Sequence, residues 1–152
     1  MEKKVPLGNW FSRILDAIRA ETSAEMRPYG VDNVGFAILY GMALIGDGKT
    51  QAELTEYLFI DNAATSRTLD ALDRQGFIER RLNPGDKRKK LVFLTDAGRE
   101  MEATVSDIYD RVFCDLTEGL AKKDVLSTLK ILQSISENAI VMRQARVLAE
   151  AG

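Results

Sequence analysis

A short segment in the middle of the chain concentrates cationic side chains. Residues 62–90 carry eight cations and four anions, a net charge of +4, whereas the whole chain of 152 residues has a formal net charge of −2. The cations are Arg67, Arg74, Arg80, Arg81, Lys87, Arg88, Lys89 and Lys90. A basic segment in an otherwise acidic protein is typical of a surface that binds a polyanion such as DNA. A solvated charged loop would have the same composition, but four consecutive cations close to further arginines favour the binding surface.

The polar side chains of this segment are suited to different contacts with DNA. The guanidinium of Arg67 can bind a guanine edge through two hydrogen bonds or clamp a phosphate, and Arg88 is suited to a narrow minor groove. Because phosphate repels a carboxylate, we expect Asp86 to orient the segment by pairing with a nearby arginine. For Thr65, an inward-packed position is the alternative. The predicted DNA contacts are Asn62, Thr65, Ser66, Arg67, Arg74, Lys87, Arg88, Lys89 and Lys90.

Local signals predict two closely spaced helices followed by a hairpin. Thr50 and Glu53 have the T-x-x-E spacing of a capping box, which begins the first helix. Asp61 is suited to cap the second, and Gly76 to end it. Such a pair is typical of a helix-turn-helix, whose second helix enters the major groove. The segment 83–86, N-P-G-D, then predicts a turn between two antiparallel strands. The two strands are indicated by a loose alternation of Phe77, Ile78, Leu82, Leu91 and Phe93 with Glu79, Arg81, Lys90 and Val92.

The same stretch resembles a known family. The sequence D-K-R-K-K-L-V-F-L-T, from Asp86 to Thr95, is similar to the D-x-R…L-T wing signature of the MarR family of transcription regulators. The residues S-R-T-L-D-A-L-D-R-Q-G-F-I-E-R, from Ser66 to Arg80, resemble that family's recognition helix and first wing strand, and T-Q-A-E-L-T-E-Y-L from Thr50 resembles the preceding helix. The resemblance implies a single chain, 1–152, with a winged helix-turn-helix lobe at 32–98 and a helical dimerisation region at 1–27 and 99–152.

Long amphipathic helices are predicted on both sides of the basic segment. Apolar residues recur at helical spacing over residues 7–25, 96–119 and 124–148, and Asp32 is suited to cap a further helix. The predicted fold is therefore mainly α with a small β-hairpin (α+β), in which long terminal helices extend a winged domain. These helices are too long and too apolar for a module of this size to cover, so we expect a second copy of the chain to pack on them. A lone helical bundle is the alternative.

The resemblance also implies a ligand site. Regulators of this family often bind small aromatic or phenolic compounds between the dimer helices and the winged lobe. The residues implied to line such an effector pocket are Trp10, Phe11, Tyr29, Phe36, Tyr40 and Met101. The alternative is that these side chains pack in the core, as aromatic residues at helical spacing usually do. Cys114 is the only cysteine, and the carboxylate of Asp115 beside it predicts a buried structural residue rather than a redox site.

Composition disfavours several classes of function. The chain has no histidine and one cysteine, and it lacks a G-x-S-x-G elbow and a P-loop, so we expect neither an enzyme nor a metal or cofactor site. No apolar run approaches the ~20 residues that span a bilayer, and the lone cysteine without a signal-like N-terminus predicts a cytoplasmic protein. We expect a sequence-specific DNA-binding transcriptional regulator, a repressor, that binds a pseudo-palindromic operator as a homodimer under control of a small-molecule effector. A winged-helix protein–protein interaction module without DNA binding is the alternative.

Overall fold

The computed structural model describes residues 6–150, apart from the side chains at 148 and 150. Its elements are α1 (Leu7–Met26), a 3-10 turn (Arg27–Tyr29), α2 (Asn33–Ile45), β1 (Lys49–Thr50), α3 (Gln51–Leu58), α4 (Asn62–Arg74), β2 (Ile78–Asn83), β3 (Asp86–Leu94), α5 (Asp96–Leu116) and α6 (Lys122–Glu150). This confirms the mainly α fold with a hairpin, to which β1 adds a third strand. The chain forms two compact units, one ending at Phe113 and the other beginning at Cys114. The predicted dimerisation segments also include residues 1–5 and 151–152, which lie outside the described residues.

Three helices begin at the caps that the sequence predicts. Asp32 Oδ1 accepts a hydrogen bond from the backbone N–H of Gly35 at 2.7 Å, at the start of α2. Asp61 Oδ1 accepts from Ala64 N at 2.8 Å, at the start of α4. At α3, the backbone N–H of Thr50 donates to a carboxylate oxygen of Glu53 at 2.7 Å, and the reciprocal bond of a capping box is also present. Each cap satisfies a backbone donor that would otherwise lack a partner.

The register of the sheet sets which face of the hairpin is buried. The sheet is antiparallel with the order β1-β3-β2, and β2 pairs with β3 so that Ile78 lies opposite Leu94, and Arg80 opposite Val92. Directly paired residues share a face. Val92 and Leu94 are therefore buried with Ile78, whereas the side chain of Leu82 is 60% exposed. The antiparallel pair of strands is confirmed, but the loose alternation that grouped Leu82, Leu91 and Phe93 apart from Val92 does not follow the buried face of the sheet. A slip of one residue exchanges the two faces of a strand, and the local pattern was too irregular to fix it.

One hydrophobic cluster within the first unit holds the helices on the sheet. Its fully buried members include Leu39 of α2, Leu54 of α3, Leu69 of α4 and Val105 of α5. Cys114 does not belong to this cluster and is exposed, which corrects its predicted burial. The buried residues of α5 follow the spacing of Val105, Ile108 and Val112. Because Cys114 lies about 200° further around the helix than Val112, it falls on the opposite side.

Both terminal helices expose large apolar side chains. Exposed residues of α1 are Leu7, Trp10, Phe11, Ile14 and Leu15, and those of α6 are Leu126, Leu129, Ile131, Ile135, Val141, Met142 and Val147. So many exposed large apolar side chains on one helix are typical of a surface on which another protein packs. Within residues 6–150, none of the helices combines the length and the apolar character required to cross a membrane.

The start of α5 lies against the start of β2. Thr95 Oγ1 donates a hydrogen bond to the carbonyl oxygen of Gly76 at 2.6 Å and accepts one from the backbone N–H of Gly98 at 3.0 Å. A Cβ atom added at Gly98 would lie 1.8 Å from the backbone oxygen of Phe77. Only glycine fits this contact without a backbone shift, so Gly98 fixes how closely the helix approaches the wing.

We therefore expect Gly98→Ala to lower the free energy of unfolding by about 3 kcal/mol, because the backbone must move to admit the methyl group. The measurement is urea denaturation followed by circular dichroism. Gly85→Ala is the matched control, since its Cβ would meet only Asn83 Oδ1 at an ordinary 3.5 Å. Equal denaturation midpoints for the two variants would show that the close approach at Gly98 does not contribute to stability.

Candidate nucleic-acid interface

The helix α4 separates a buried face from a polar exposed one. Thr65, Thr68, Leu69 and Leu72 are buried against the core. The polar side chains that remain accessible include Asn62, Ser66, Arg67 and Arg74, of which Ser66 is half-buried, and the carboxylates of Asp70 and Asp73. The side chains predicted to contact DNA from this helix therefore lie on its accessible surface, with the exception of Thr65.

The position of Thr65 corrects its inclusion among the DNA contacts. Its side chain is completely buried. Its hydroxyl donates to the backbone carbonyl of Asp61 at 3.0 Å, one turn earlier in the chain. A buried hydroxyl that already has an acceptor is not available to DNA, so Thr65 packs inward and anchors the start of α4.

An ion pair holds the helix against the hairpin. The guanidinium of Arg80, on the inner face of β2, donates to Asp70 Oδ1 of α4 at 2.6 Å and lies 3.8 Å from Asp73 Oδ2. The Arg80 side chain is only 19% exposed, whereas the two carboxylates are about half exposed. Arg80 thus joins α4 to the wing and is not available as a free surface cation.

The hairpin tip is ordered by two short polar side chains. Asn83 Oδ1 accepts from Gly85 N at 2.9 Å, inside the turn. Asp86 Oδ1 accepts from the backbone N–H of Arg88 and from its Nε, both at 3.1 Å, which confirms the predicted pairing with an arginine. These hydrogen bonds from Arg88 hold the pKa of the Asp86 carboxyl below its usual value, so it stays ionised. The Arg88 side chain remains 91% exposed, while Asp86 holds its backbone N–H and its Nε.

The outer face of the hairpin carries a separate contact. The guanidinium of Arg81 lies over the ring of Phe93, 4.5 Å from its centroid, and also pairs with Glu79. This stacking covers part of an aromatic ring that the register leaves at the surface. Arg81 is thereby occupied by partners within the wing.

Cations without a carboxylate partner lie along the helix and the wing. Over the part of the chain that the structure describes, Arg67, Arg74, Lys87 and Lys90 form no ion pair. The charge of Lys89 acts on the carboxylates of Glu53 and Asp86. A cavity of about 240 Å³ separates the start of α3 from the wing. Its lining consists of Thr50, Gln51, Ala52, Leu69, Arg80, Lys89, Lys90 and Val92.

Gln51 is a polar residue of this surface that the sequence did not single out. Its side-chain Nε2 donates to Asn62 Oδ1 at 2.7 Å. The contact joins the first residue of α3 to the first residue of α4, which are 11 positions apart in sequence. No local pattern predicts it, because it depends on the angle between the two helices.

The six residues implied to form an effector pocket occupy different environments. Phe36 and Met101 belong to the core, with exposures of 6% and 7%. This corrects their inferred place in an effector pocket, because both side chains pack against other core residues. Trp10, Phe11 and Tyr29 are exposed. Tyr40 is half-buried between Phe36 and a residue outside the predicted set, Tyr109, with ring centroids 6.4 Å and 4.3 Å away.

The environment of Tyr40 disfavours ionisation of its hydroxyl. Burial raises the pKa of the Tyr40 phenol, and the neighbouring Tyr109 and Asp110 raise it further. Like any tyrosine that is protonated at neutral pH, it can donate a hydrogen bond. The stack of Phe36, Tyr40 and Tyr109 is the aromatic cluster of this unit that combines ring surface with a polar group.

The helical pair α3–α4, the hairpin and the three-stranded sheet define a winged helix-turn-helix protein. The MarR family model matches residues 29–89. A crystal structure of MarR superposes with a TM-score of 0.81 at 25% identity, over 94% of this chain and 97% of that chain. Apo wild-type MarR from E. coli has a TM-score of 0.71 at 25% identity, over 88% and 98% of the two chains. The transcriptional repressor CouR, bound to a 23-mer DNA duplex, has a TM-score of 0.74 at 26% identity, over 86% and 92%.

The MarR family model thus covers the segment from α2 through the helix-turn-helix to the wing, and solved MarR structures are similar to the chain over most of its length. Members of this family are transcription regulators and not enzymes.

Proposed function

We propose that this regulator binds double-stranded DNA sequence-specifically and acts as a repressor. The observation that carries the proposal is the exposed polar face of α4, with Asn62, Ser66 and Arg67, beside a wing whose Arg88 extends into solvent. The similarity to CouR, a transcriptional repressor bound to DNA, supports the same role.

The two parts of the surface suit different grooves. A helix of the width of α4 fits the major groove, where Arg67 can bind a guanine edge and Asn62 and Ser66 can reach bases or phosphates. The hairpin tip, with Arg88 oriented by Asp86, suits the adjacent minor groove. The phosphates between the two grooves would then pass close to Arg74 and the lysines at 87, 89 and 90.

We further propose that the DNA-binding form is a homodimer. The exposed apolar residues of α1 and α6 require cover, and a second copy supplies it through a two-fold axis. The dimerisation region then lies within residues 1–27 and 99–152, and the DNA-binding lobe within 32–98. Two recognition helices about 34 Å apart contact successive major grooves on one side of the duplex, so the operator is a pseudo-palindrome.

Release from DNA is proposed to depend on a small aromatic effector. The Phe36–Tyr40–Tyr109 stack offers ring surface, and the protonated Tyr40 phenol offers a donor. A ligand that binds here preferentially in one arrangement of the dimer shifts the population towards that arrangement. Changing the separation of the recognition helices lowers affinity without altering any base contact.

The first test replaces Arg67. We expect Arg67→Ala to weaken operator binding by about 1–3 kcal/mol and to relax the sequence preference, because a base-edge contact is lost. Fluorescence anisotropy with operator and random duplexes at two salt concentrations measures both effects. Arg19→Ala, which removes an equally exposed arginine from α1, is the matched control and should bind like the wild type. Wild-type protein that binds no duplex at low salt would refute DNA binding and favour a protein-docking module.

The second test concerns the dimer. We expect Ile14→Glu to shift the protein towards monomer in sedimentation velocity, because it places a carboxylate on the apolar face of α1. The variant should lose affinity for a duplex with two half-sites more than for a single half-site. Ser12→Glu adds the same charge about 200° around the helix and should leave the dimer intact. Identical sedimentation of both variants and the wild type would contradict this interface.

The third test concerns the effector. A panel of aromatic carboxylates and phenols is titrated into the protein–operator complex, and release of labelled DNA is followed by anisotropy. We expect Tyr40→Leu to raise the effector concentration needed for release about tenfold while leaving operator affinity unchanged, because the ligand loses a hydrogen-bond donor. If none of the compounds releases DNA, aromatic effector control is excluded for this class of ligand.

A further inference from the structure

The hydrogen bond between Gln51 and Asn62 connects the first residues of the two helices of the helix-turn-helix. Gln51 is half-buried at the start of α3, and Asn62 is exposed at the start of α4. The Nε2 of Gln51 lies 2.7 Å from Asn62 Oδ1 and 3.5 Å from the backbone carbonyl oxygen of the same residue. One amide group thus faces two oxygen atoms of Asn62.

This geometry fixes the direction of both side-chain amides. A backbone carbonyl only accepts hydrogen bonds, so the end of Gln51 that faces it must be the NH2 group. If Gln51 were reversed, its Oε1 would face that carbonyl oxygen and the two acceptors would repel each other. Because Gln51 presents a donor, Asn62 must turn its Oδ1 inward. Its Nδ2 then points away from α3, and over the described residues it has no hydrogen-bond partner.

We propose that Gln51 is a positioning residue: by occupying Asn62 Oδ1, it leaves the Asn62 side chain able only to donate a hydrogen bond to DNA. The inference rests on the proposed DNA binding and specifies its chemistry at one position of the recognition helix. Gln51 acts through Asn62 by holding Oδ1, so that the exposed Nδ2 is the group presented to the duplex.

A donor of this kind discriminates between DNA groups. It can bind an acceptor on a base edge, such as guanine N7 or O6, adenine N7 or thymine O4, or it can bind a phosphate oxygen. It cannot form the two-bond pair of asparagine with adenine, because that pair also needs a free Oδ1 to accept from N6. The base facing Asn62 is therefore selected against cytosine, whose major-groove edge presents a donor.

The test reverses the polarity of the contact. Gln51→Glu replaces the NH2 donor with a carboxylate, which rotates away from the Asn62 carbonyl oxygen and can accept only from the Asn62 side chain, so Asn62 turns its Nδ2 inward and presents Oδ1 to DNA. A carboxylate at the first position of a helix is compatible with the helix dipole, so the fold should persist. The change also adds a negative charge near DNA, and Ala52→Glu controls for it, because exposed Ala52 is the next residue and makes no bond to Asn62. Thermal unfolding by circular dichroism checks that both variants are folded.

The readouts are the operators selected from a randomised duplex library and the dissociation constants for the wild-type operator. If Asn62 binds a base, Gln51→Glu shifts the preference at one position of each half-site towards cytosine or adenine, whose edges carry donors, and Ala52→Glu does not. If Asn62 binds a phosphate, preferences stay unchanged but Gln51→Glu binds about tenfold or more weakly than Ala52→Glu. A methylphosphonate at the contacted phosphate then removes that difference. Either result supports the inference and identifies the acceptor.

Two results would overturn the inference, and they are distinguishable. Equal affinities and equal preferences for Gln51→Glu and Ala52→Glu would show that the polarity of the amide is irrelevant while DNA binding stands. Failure of the wild type to bind any selected duplex would remove the proposed function together with the inference.

Discussion

The contact of Arg80 with Asp70 and Asp73 joins α4 to the wing and constrains how the two lie relative to each other. Arg80 shares the inner face of the sheet with Ile78, Val92 and Leu94, where an unpaired cation would be costly. The two carboxylates of α4 compensate that cost and keep a half-exposed position, so desolvation is moderate. The pair contributes orientation more than stability, because partly exposed ion pairs are worth little energetically. The contact therefore ties the orientation of α4 to that of the hairpin.

The acidic residues of the basic segment have a consistent role around this contact. Asp70 and Asp73 hold Arg80, Glu79 pairs with Arg81, and Asp86 orients Arg88. Each of these anions thus pairs with an arginine beside it, and together they reduce the net charge of the segment to +4. The remaining cations carry the net positive charge of the segment outward, where it can attract a polyanion.

Hydrogen bonds between elements also limit how the exposed side chains of α4 are oriented. The capping residues of α3 and α4 satisfy their own helix termini, whereas Gln51 links the two helices through the Asn62 amide. Asp47, in the turn before β1, accepts from the backbone N–H of Leu94 at 2.9 Å and from Arg99 at 2.8 Å. The recognition surface is therefore held by hydrogen bonds to its neighbours on several sides, in addition to the packing of Leu69 and Leu72. Such support limits the orientations available to each exposed group.

The sequence by itself determined where three helices begin and where the hairpin turns, because caps and turns act within a few residues. Asp32, Thr50 with Glu53, Asp61 and the N-P-G-D turn each have their partners within one turn of the chain, and the pairing of Asp86 with Arg88 is equally local. The tertiary structure alone decided which face of β3 is buried, since a register shift of one residue would bury Phe93 in place of Val92. It also decided that Thr65 is buried, that Cys114 is exposed and that Gln51 meets Asn62. These outcomes depend on strand pairing and interhelical angles, which the whole core sets and which no short stretch of sequence encodes.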